Sequence, residues 1–368
     1  KMSKITFSNS NNAFYQSLKT SVDSYFTNNN IKKTGDWRLY SKTIILVITA
    51  FTMYGLLMFA DLQNWQALLI CVVFGISLAS IGFNVMHDAN HGSYSTRPML
   101  NDFLGLSLNA LGASSYLWKQ KHNIIHHTYT NVDGIDDDIA KSPIIRHCES
   151  QKWVPAHKVQ YLYLLPVYAL STIFWIYIMD FTKYFSHKIF TTDAWKMTLK
   201  NHLIFWATKI LYITFYIVLP IMVWGVLPWL VGYLVLNAVM GLILSLVFQL
   251  AHVVENTEFE HVPLDATKHI ESAWAEHQIR TTANFAMGNK VISWFVGGLN
   301  YQVEHHLFPR VSHIHYPAIS KIVMEKCREF NLPYNKYDTM SGAIASHFRV
   351  MKQLGKKPAM SMHQVQAA

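Results

Sequence analysis

Residues 65–91 read WQALLICVVFGISLASIGFNVMHDANH, a charge-free apolar run through Met86 that ends directly in His-Asp-Ala-Asn-His. A helix needs about 20 apolar residues to cross a bilayer core, and this run supplies them. Upstream, residues 44–60 (IILVITAFTMYGLLMFA) make another such run, separated from it by DLQN at 61–64. The pair reads as a transmembrane helical hairpin with a very short outer turn. Residues 208–224 and 226–251 make a second hairpin, turning around Gly225 and Pro228. Lys209 stands at the start of the third crossing, where its long stem is expected to carry the ammonium to the interface. Trp65, Trp206, Trp224 and Trp229 fall near the run ends, as interfacial aromatics do.

Composition points the same way. Of 368 residues, 51% are apolar and 14% charged, against about a quarter charged in soluble domains. A net charge of +9 raises the question of nucleic acid, and clustering answers it in the negative. Lys and Arg are absent from residues 44–86 and 210–251 and frequent around them, which suits a membrane protein better than a basic nucleic-acid face. The turns at 61–64 and 225–228 carry no Lys or Arg, whereas residues 1–41, 119–158 and 183–200 carry several. The positive-inside bias therefore places both termini and the histidine-bearing loops in the cytosol. The N-terminal segment has no apolar h-region, so no cleaved signal is expected. Cys71, Cys148 and Cys327 form no CxxC pair, which argues against a disulfide framework and fits a reducing compartment.

Two further apolar stretches need placing. Residues 99–117 include Asn101, Asp102, Asn109 and two glycines and make poor spanning material. Residues 161–180 are apolar enough to cross, yet a crossing there would put His252 on the opposite side from His87. If the histidines share one site, this stretch lies in the interface or re-enters.

The histidines carry the chemistry. His87 and His91 stand at i and i+4, one face of a helix. His122 and His126 repeat that spacing, and on an α-helix His127 would point about 100° away. A third cluster, Gln302-Val-Glu-His305-His306, shows i, i+3 and i+4 offsets. His252 is isolated in sequence but follows the fourth apolar run as His87 follows the second. One histidine means little; three clusters and a lone partner at one membrane face mean a metal centre. Imidazole suits zinc, copper, iron or nickel, and thiolates are not in the pattern. Eight imidazoles exceed one tetrahedral zinc site, so two metals with about four nitrogens each is the natural accounting. The acidic run from Asp133 through Asp136, Asp137 and Asp138 either orients ligand imidazoles or forms a solvated turn around Gly134. Glu255 and Glu304 are further candidates for that orienting role.

HDANH (87–91), HNIIHH (122–127) and QVEHH (302–306) resemble the three histidine boxes of membrane fatty acid desaturases. The longer stretch GGLNYQVEHHLFPRVSHIHYP (297–317) resembles the acyl-lipid and linoleoyl-CoA-type branch, which includes the front-end desaturases. The resemblance covers roughly residues 40–340. It implies an all-α integral membrane fold: two transmembrane helical hairpins, four helices, under a helical cytosolic cap holding a histidine-ligated di-iron site. The implied iron ligands are His87, His91, His122, His126, His127, His252, His305 and His306. Gln302 stands where the stearoyl-CoA branch has histidine, and front-end desaturases also have glutamine there. Phe248 stands where that branch has an asparagine, with Gln249 as a substitute. Gln302, Gln249, Asp133, Asp137 and Glu255 are thus additional or supporting candidates. The chain divides into a cytosolic arm (1–41), a membrane desaturase domain with its catalytic cap (42–340) and a cytosolic tail (341–368).

The implied activity is insertion of a cis double bond into a fatty acyl chain, using O2 and two electrons. The acyl group would be carried by CoA, a carrier protein or a lipid. No HPGG haem motif occurs and residues 1–41 are too few for a fused cytochrome domain, so the expected donor is a separate ferredoxin or b-type cytochrome. Hydroxylases and ketolases share the same histidine architecture and form the nearest alternative. A histidine-rich metal transporter is more distant, because transporters keep ligands near the bilayer midplane and often in repeats.

Overall fold

The computed structural model describes residues 5–8, 12–139, 144–261 and 269–358. Its helices are α1 (Ala13–Asn28), α2 (Trp37–Phe59), α3 (Asn64–His91), α4 (Ser115–Lys119), α5 (Pro155–Ala169), α6 (Ser171–Ser186), α7 (Leu199–Trp224), α8 (Val226–His252), α9 (Trp274–Thr281), α10 (Gln302–Leu307), α11 (Tyr316–Glu329) and α12 (Met340–Leu354). Shorter helices fill residues 98–110 and 290–295. Three two-residue strand pairs are the departure from an all-helical chain.

Four helices, α2, α3, α7 and α8, are long and apolar enough to cross a membrane, as in an integral membrane protein. The apolar runs predicted them, with one systematic error at the histidine-side ends. α2 begins at Trp37 rather than 44, because the Asp36 carboxylate caps the Arg38 N–H at 2.9 Å. Lys42 is accommodated inside the protein, donating to Asn84 Oδ1 at 2.7 Å and lying 3.1 Å from His313 Nε2. α3 packs between α2 and α8, and the α3–α8 approach requires Gly75, where a Cβ would lie 2.7 Å from the Leu236 carbonyl.

Residues 155–186 do not cross straight. α5 and α6 meet at a 64° bend, the geometry of either a broken span or a re-entrant loop. The bend seats on α8 at Gly241, whose Cβ would lie 2.7 Å from the Ala169 carbonyl. Thr172 and Ser245 hydroxyls secure the contact, donating to the Asn237 carbonyl at 3.0 Å and to Ser171 Oγ at 2.8 Å.

Lys209 corrects the snorkelling expectation. Its ammonium turns inward, 5% exposed, and donates to Asp180 Oδ2 at 2.9 Å and to the Gly112 and Ile176 carbonyls at 2.7 and 2.8 Å. Asp180 also accepts from the Ser114 N–H at 2.7 Å and from Trp175 Nε1 at 3.1 Å. Satisfaction by five hydrogen bonds outweighs the reach to water, so the pair pins α7, α6 and residues 112–114 together. Removing one partner of such a pair costs about 3–5 kcal/mol, whereas removing both is far cheaper. Lys209→Met is therefore expected to lower thermal stability markedly, and Lys209→Met with Asp180→Leu to recover most of the loss. A single substitution without effect in a detergent melt would contradict the pin.

Polar segments pack at the histidine-bearing ends of α3 and α8. In α1, Phe14, Leu18, Val22 and Phe26 recur every fourth residue and bury one stripe against α11, Val303 and Leu307. α12 is docked through His347 Nδ1, 2.7 Å from the Val253 carbonyl, and through Gln160 Nε2, which donates to the Met351 carbonyl at 2.7 Å.

Candidate metal centre

Four segments deliver the histidines. α3 does not run as plain α-helix into HDANH: residues 82–86 form a π turn before His87. Gly92, in the left-handed region at φ 73°, ends the helix directly after His91. α4 passes into a second π turn over Gln120–His126, with the His127 N–H donating to the His122 carbonyl at 3.0 Å. Such π turns recur at functional sites. This one overturns the expectation that His127 points away, because i and i+5 align in a π turn: His127 Nε2 lies 3.3 Å from His122 Nε2. α8 ends on His252, and α10 presents His305 and His306.

All eight histidines converge, each buried. One set, His87, His91, His122 and His305, places a nitrogen from every member within 4.8 Å of the others, and so does a second set, His126, His252 and His306. His127 joins the two, grouping with His305 and His306. A further group, His122, His126 and Asp138, overlaps both sets within one nitrogen-rich pocket. Buried nitrogens without a hydrogen-bond partner include both of His87, Nδ1 of His127 and Nε2 of His91, His252, His305 and His306. Buried polar atoms are seldom left unpaired, so these orphaned lone pairs are what a metal would complete.

The opposite ring nitrogens are anchored. His126 Nδ1 lies 2.9 Å from the fully buried Asp136 Oδ2, and 3.6 Å from Asp138 Oδ2. His306 Nδ1 lies 2.9 Å from Gln278 Oε1 and 3.1 Å from Thr130 Oγ1, and His305 Nδ1 lies 3.0 Å from the Tyr316 hydroxyl. Partners of this kind fix a ligand's tautomer and orientation. Burial and the neighbouring imidazoles hold His127, His305 and His306 well below the ordinary histidine range, and burial does the same for His122, which keeps their lone pairs free. His126 is the exception. Burial opposes its protonation, but Asp136 and then Asp138 outweigh burial and raise it.

The supporting candidates divide. Within the acidic run, Asp136 and Asp138 face the histidines, not Asp133 and Asp137. Asp133 meets His261 Nδ1 at 3.1 Å, and Asp137 accepts from Lys183. Glu255 is drawn away by a two-pronged ion pair with Arg349 at 2.7 and 2.8 Å. Gln302 is buried, one turn before the His305–His306 pair, with Nε2 unpartnered. Gln249, one turn before His252, has its Oε1 unpartnered. Glu304 holds no histidine; it accepts from Asn284 Nδ2 at 2.8 Å and Tyr334 at 2.7 Å, and burial pushes its carboxyl up to about 7 against both hydrogen bonds. Sequence reasoning missed Gln278, Thr130 and Tyr316, for which no spacing gives a signal because folding alone brings them near. His277 and His313 lie outside the sets, His277 Nε2 meeting the Thr130 carbonyl at 2.8 Å and His313 Nδ1 lying 3.0 Å from Asp88 Oδ2.

An apolar slot adjoins the histidines, walled by Phe83, Met86, Trp118, Trp175, Leu244 and Phe248. Trp118 stacks on His122 with ring centroids 4.3 Å apart. A family model described as "Fatty acid desaturase" matches residues 63–338. The chain belongs to the fatty acid desaturase family. It is similar to a protein of Synechocystis sp. named "sn-1 linoleoyl-lipid 6-desaturase", 37% identical over 349 residues, covering 93% of this chain and 96% of the relative. A protein of the same name in Arthrospira platensis is 35% identical over 97% of this chain and 96% of its own. An "Acyl-lipid (8-3)-desaturase" of Physcomitrium patens is 36% identical over 94% of this chain and 72% of its own. This desaturase is accordingly an oxidoreductase of fatty acyl chains, and its histidine sets fit the family's use of metal.

Proposed function

We propose that this desaturase inserts a cis double bond toward the carboxyl end of an acyl chain held in a membrane lipid. The pair of adjoining histidine sets beside an apolar slot carries this reading. His87, His91, His122 and His305 would hold one iron, and His126, His252 and His306 the other, with His127 between. Gln302 and Gln249 would complete or support those sets. Two irons bound there supply, with O2 and two electrons, the oxidising power that an unactivated C–H bond demands. The protein's own part is positional. Phe83, Met86, Trp118 and Phe248 align the chain and exclude water, while Asp136, Gln278 and Tyr316 keep the imidazoles oriented.

Two hydrogens leave the chain, and two electrons and two protons come from outside, O2 leaving as water. A separate ferredoxin or b-type cytochrome would deliver the electrons on the cytosolic side. Two helical hairpins would span the bilayer beneath a cytosolic cap, with both termini cytosolic. In this reading residues 1–41 and 341–368 support the catalytic body of 42–340 without touching substrate. Lipid analysis of a host of known composition expressing the chain tests it. A new alkene between the carboxyl group and an existing double bond is expected. An alcohol or ketone at the same carbons would overturn the reading.

A further inference from the structure

The outer ends of α2 and α7 are tied by two hydrogen bonds, from the Tyr54 hydroxyl to the Phe215 carbonyl at 2.9 Å and from Trp224 Nε1 to the Leu57 carbonyl at 2.7 Å. Closer to the histidines the helices part around a cavity of about 580 Å³, with Val47, Ala50 and Phe51 on one side and Leu211 on the other. Phe51 is 74% exposed and Leu211 53%, so the gap opens sideways, at the depth of the spanning segments. Its polar lining is internally paired, Asn109 Nδ2 donating to Thr208 Oγ1 at 3.1 Å. Water entering such a cavity would find few partners, whereas hydrocarbon would find contact on every wall.

The cavity abuts the slot beside the histidines across one shared wall residue. Leu111 lines both it and the slot beside the histidines, and Tyr54, Phe74, Phe215 and Tyr216 are shared with a further cavity of about 310 Å³ nearer the outer turns. Met86 and Phe74 are twelve residues apart on α3, about 18 Å of helix. A chain whose reacting carbons sit by Met86 would pass Leu111 and find apolar walls for its tail on the side away from the histidines.

We infer that the gap between α2 and α7 is a lateral portal through which the acyl chain of a bilayer glycerolipid enters the slot without leaving the membrane. The inference rests on the desaturase reading, with its lipid-held chain, and adds the route. A lipid-anchored chain already lies at the portal's depth, whereas a water-soluble thioester would have to arrive from the polar face.

The full chain, loaded with iron, is placed in vesicles of dilinoleoyl phosphatidylcholine with reduced ferredoxin and O2, and new alkene is measured. Ala110, small and exposed at the gap, is replaced by Trp, and Ala50 by Phe. Ile48→Trp, a bulky change on the lipid-facing side of α2, serves as control. Each portal variant is expected to lower lipid desaturation by about tenfold or more with iron content unchanged, and Ile48→Trp by less than about twofold. Near-normal turnover in Ala110→Trp would overturn the portal. So would faster desaturation of linoleoyl-CoA supplied from water than of the bilayer lipid by the unsubstituted chain. No alkene from either source would overturn the desaturase reading itself, and the portal with it.

Discussion

His252→Ala is expected to abolish desaturation as completely as His126→Ala, while expression and membrane insertion survive. His252 completes a set of three with His126 and His306, its ring centroid 4.7 Å from the first and 4.9 Å from the second. Its Nε2 has no other partner, and its Nδ1 lies 3.4 Å from the Thr281 carbonyl. With His252 gone, a metal there would be held by His126 and His306 alone, and the oxidising chemistry it would supply would be lost. The matched control is His187, exposed and in the left-handed region at φ 54°. Ala would strain that backbone, so Asn, which tolerates the conformation, is the fair replacement. His187→Asn should keep most activity, since surface changes usually move stability by no more than about 0.5 kcal/mol. Turnover is compared per unit of inserted protein, and near-normal turnover in His252→Ala would remove it from the ligand set.

Asp136→Ala is expected to produce the second-largest effect, through metal retention. The carboxylate accepts from His126 Nδ1 and from the Asn131 and Asp138 N–H groups, each at 2.9 Å. Truncation frees the His126 ring, withdraws the charge that raises its basicity and removes the acceptor of one buried and one half-buried N–H. Outer partners of ligating histidines are worth about 10–100-fold in metal affinity. Asp136→Asn keeps an acceptor oxygen and should retain more iron than Asp136→Ala. Iron per chain, measured after dialysis against a graded chelator series, reads the difference without relying on turnover. Equal retention by Asp136→Ala and the unsubstituted chain would show that Asp136 orients nothing.

The four described helices long and apolar enough to span a membrane were legible because their determinant is local: a charge-free run of sufficient length declares itself wherever it occurs. The histidine clusters were legible for a similar reason, since i and i+4 spacing needs no knowledge of the rest of the fold. His252 needed one more step, its position after an apolar run that mirrors the run before His87. What escaped was set by tertiary contact. Nothing in the spacing of Asp133, Asp136, Asp137 and Asp138 says which carboxylates face inward; Lys183 and His261 decide it by claiming Asp137 and Asp133. The π turns escaped because an extra residue in a turn leaves no compositional trace, yet it is what brings His127 to His122. Lys209 was misplaced by a rule that considers a lysine and a lipid surface but not a buried aspartate on another helix.

That Lys209–Asp180 pair also bears on how the chain reaches its final form in the bilayer. α7 carries a cation ten residues on from its start, and a lone charge within a bilayer core is expensive. Its counter-ion is on α6, which precedes α7 in the chain and so emerges first during synthesis. The bent segment therefore acts as a waiting partner, and α7 can settle only by docking against it. Insertion and assembly are thereby one event for this helix, and their order is written in the order of the chain.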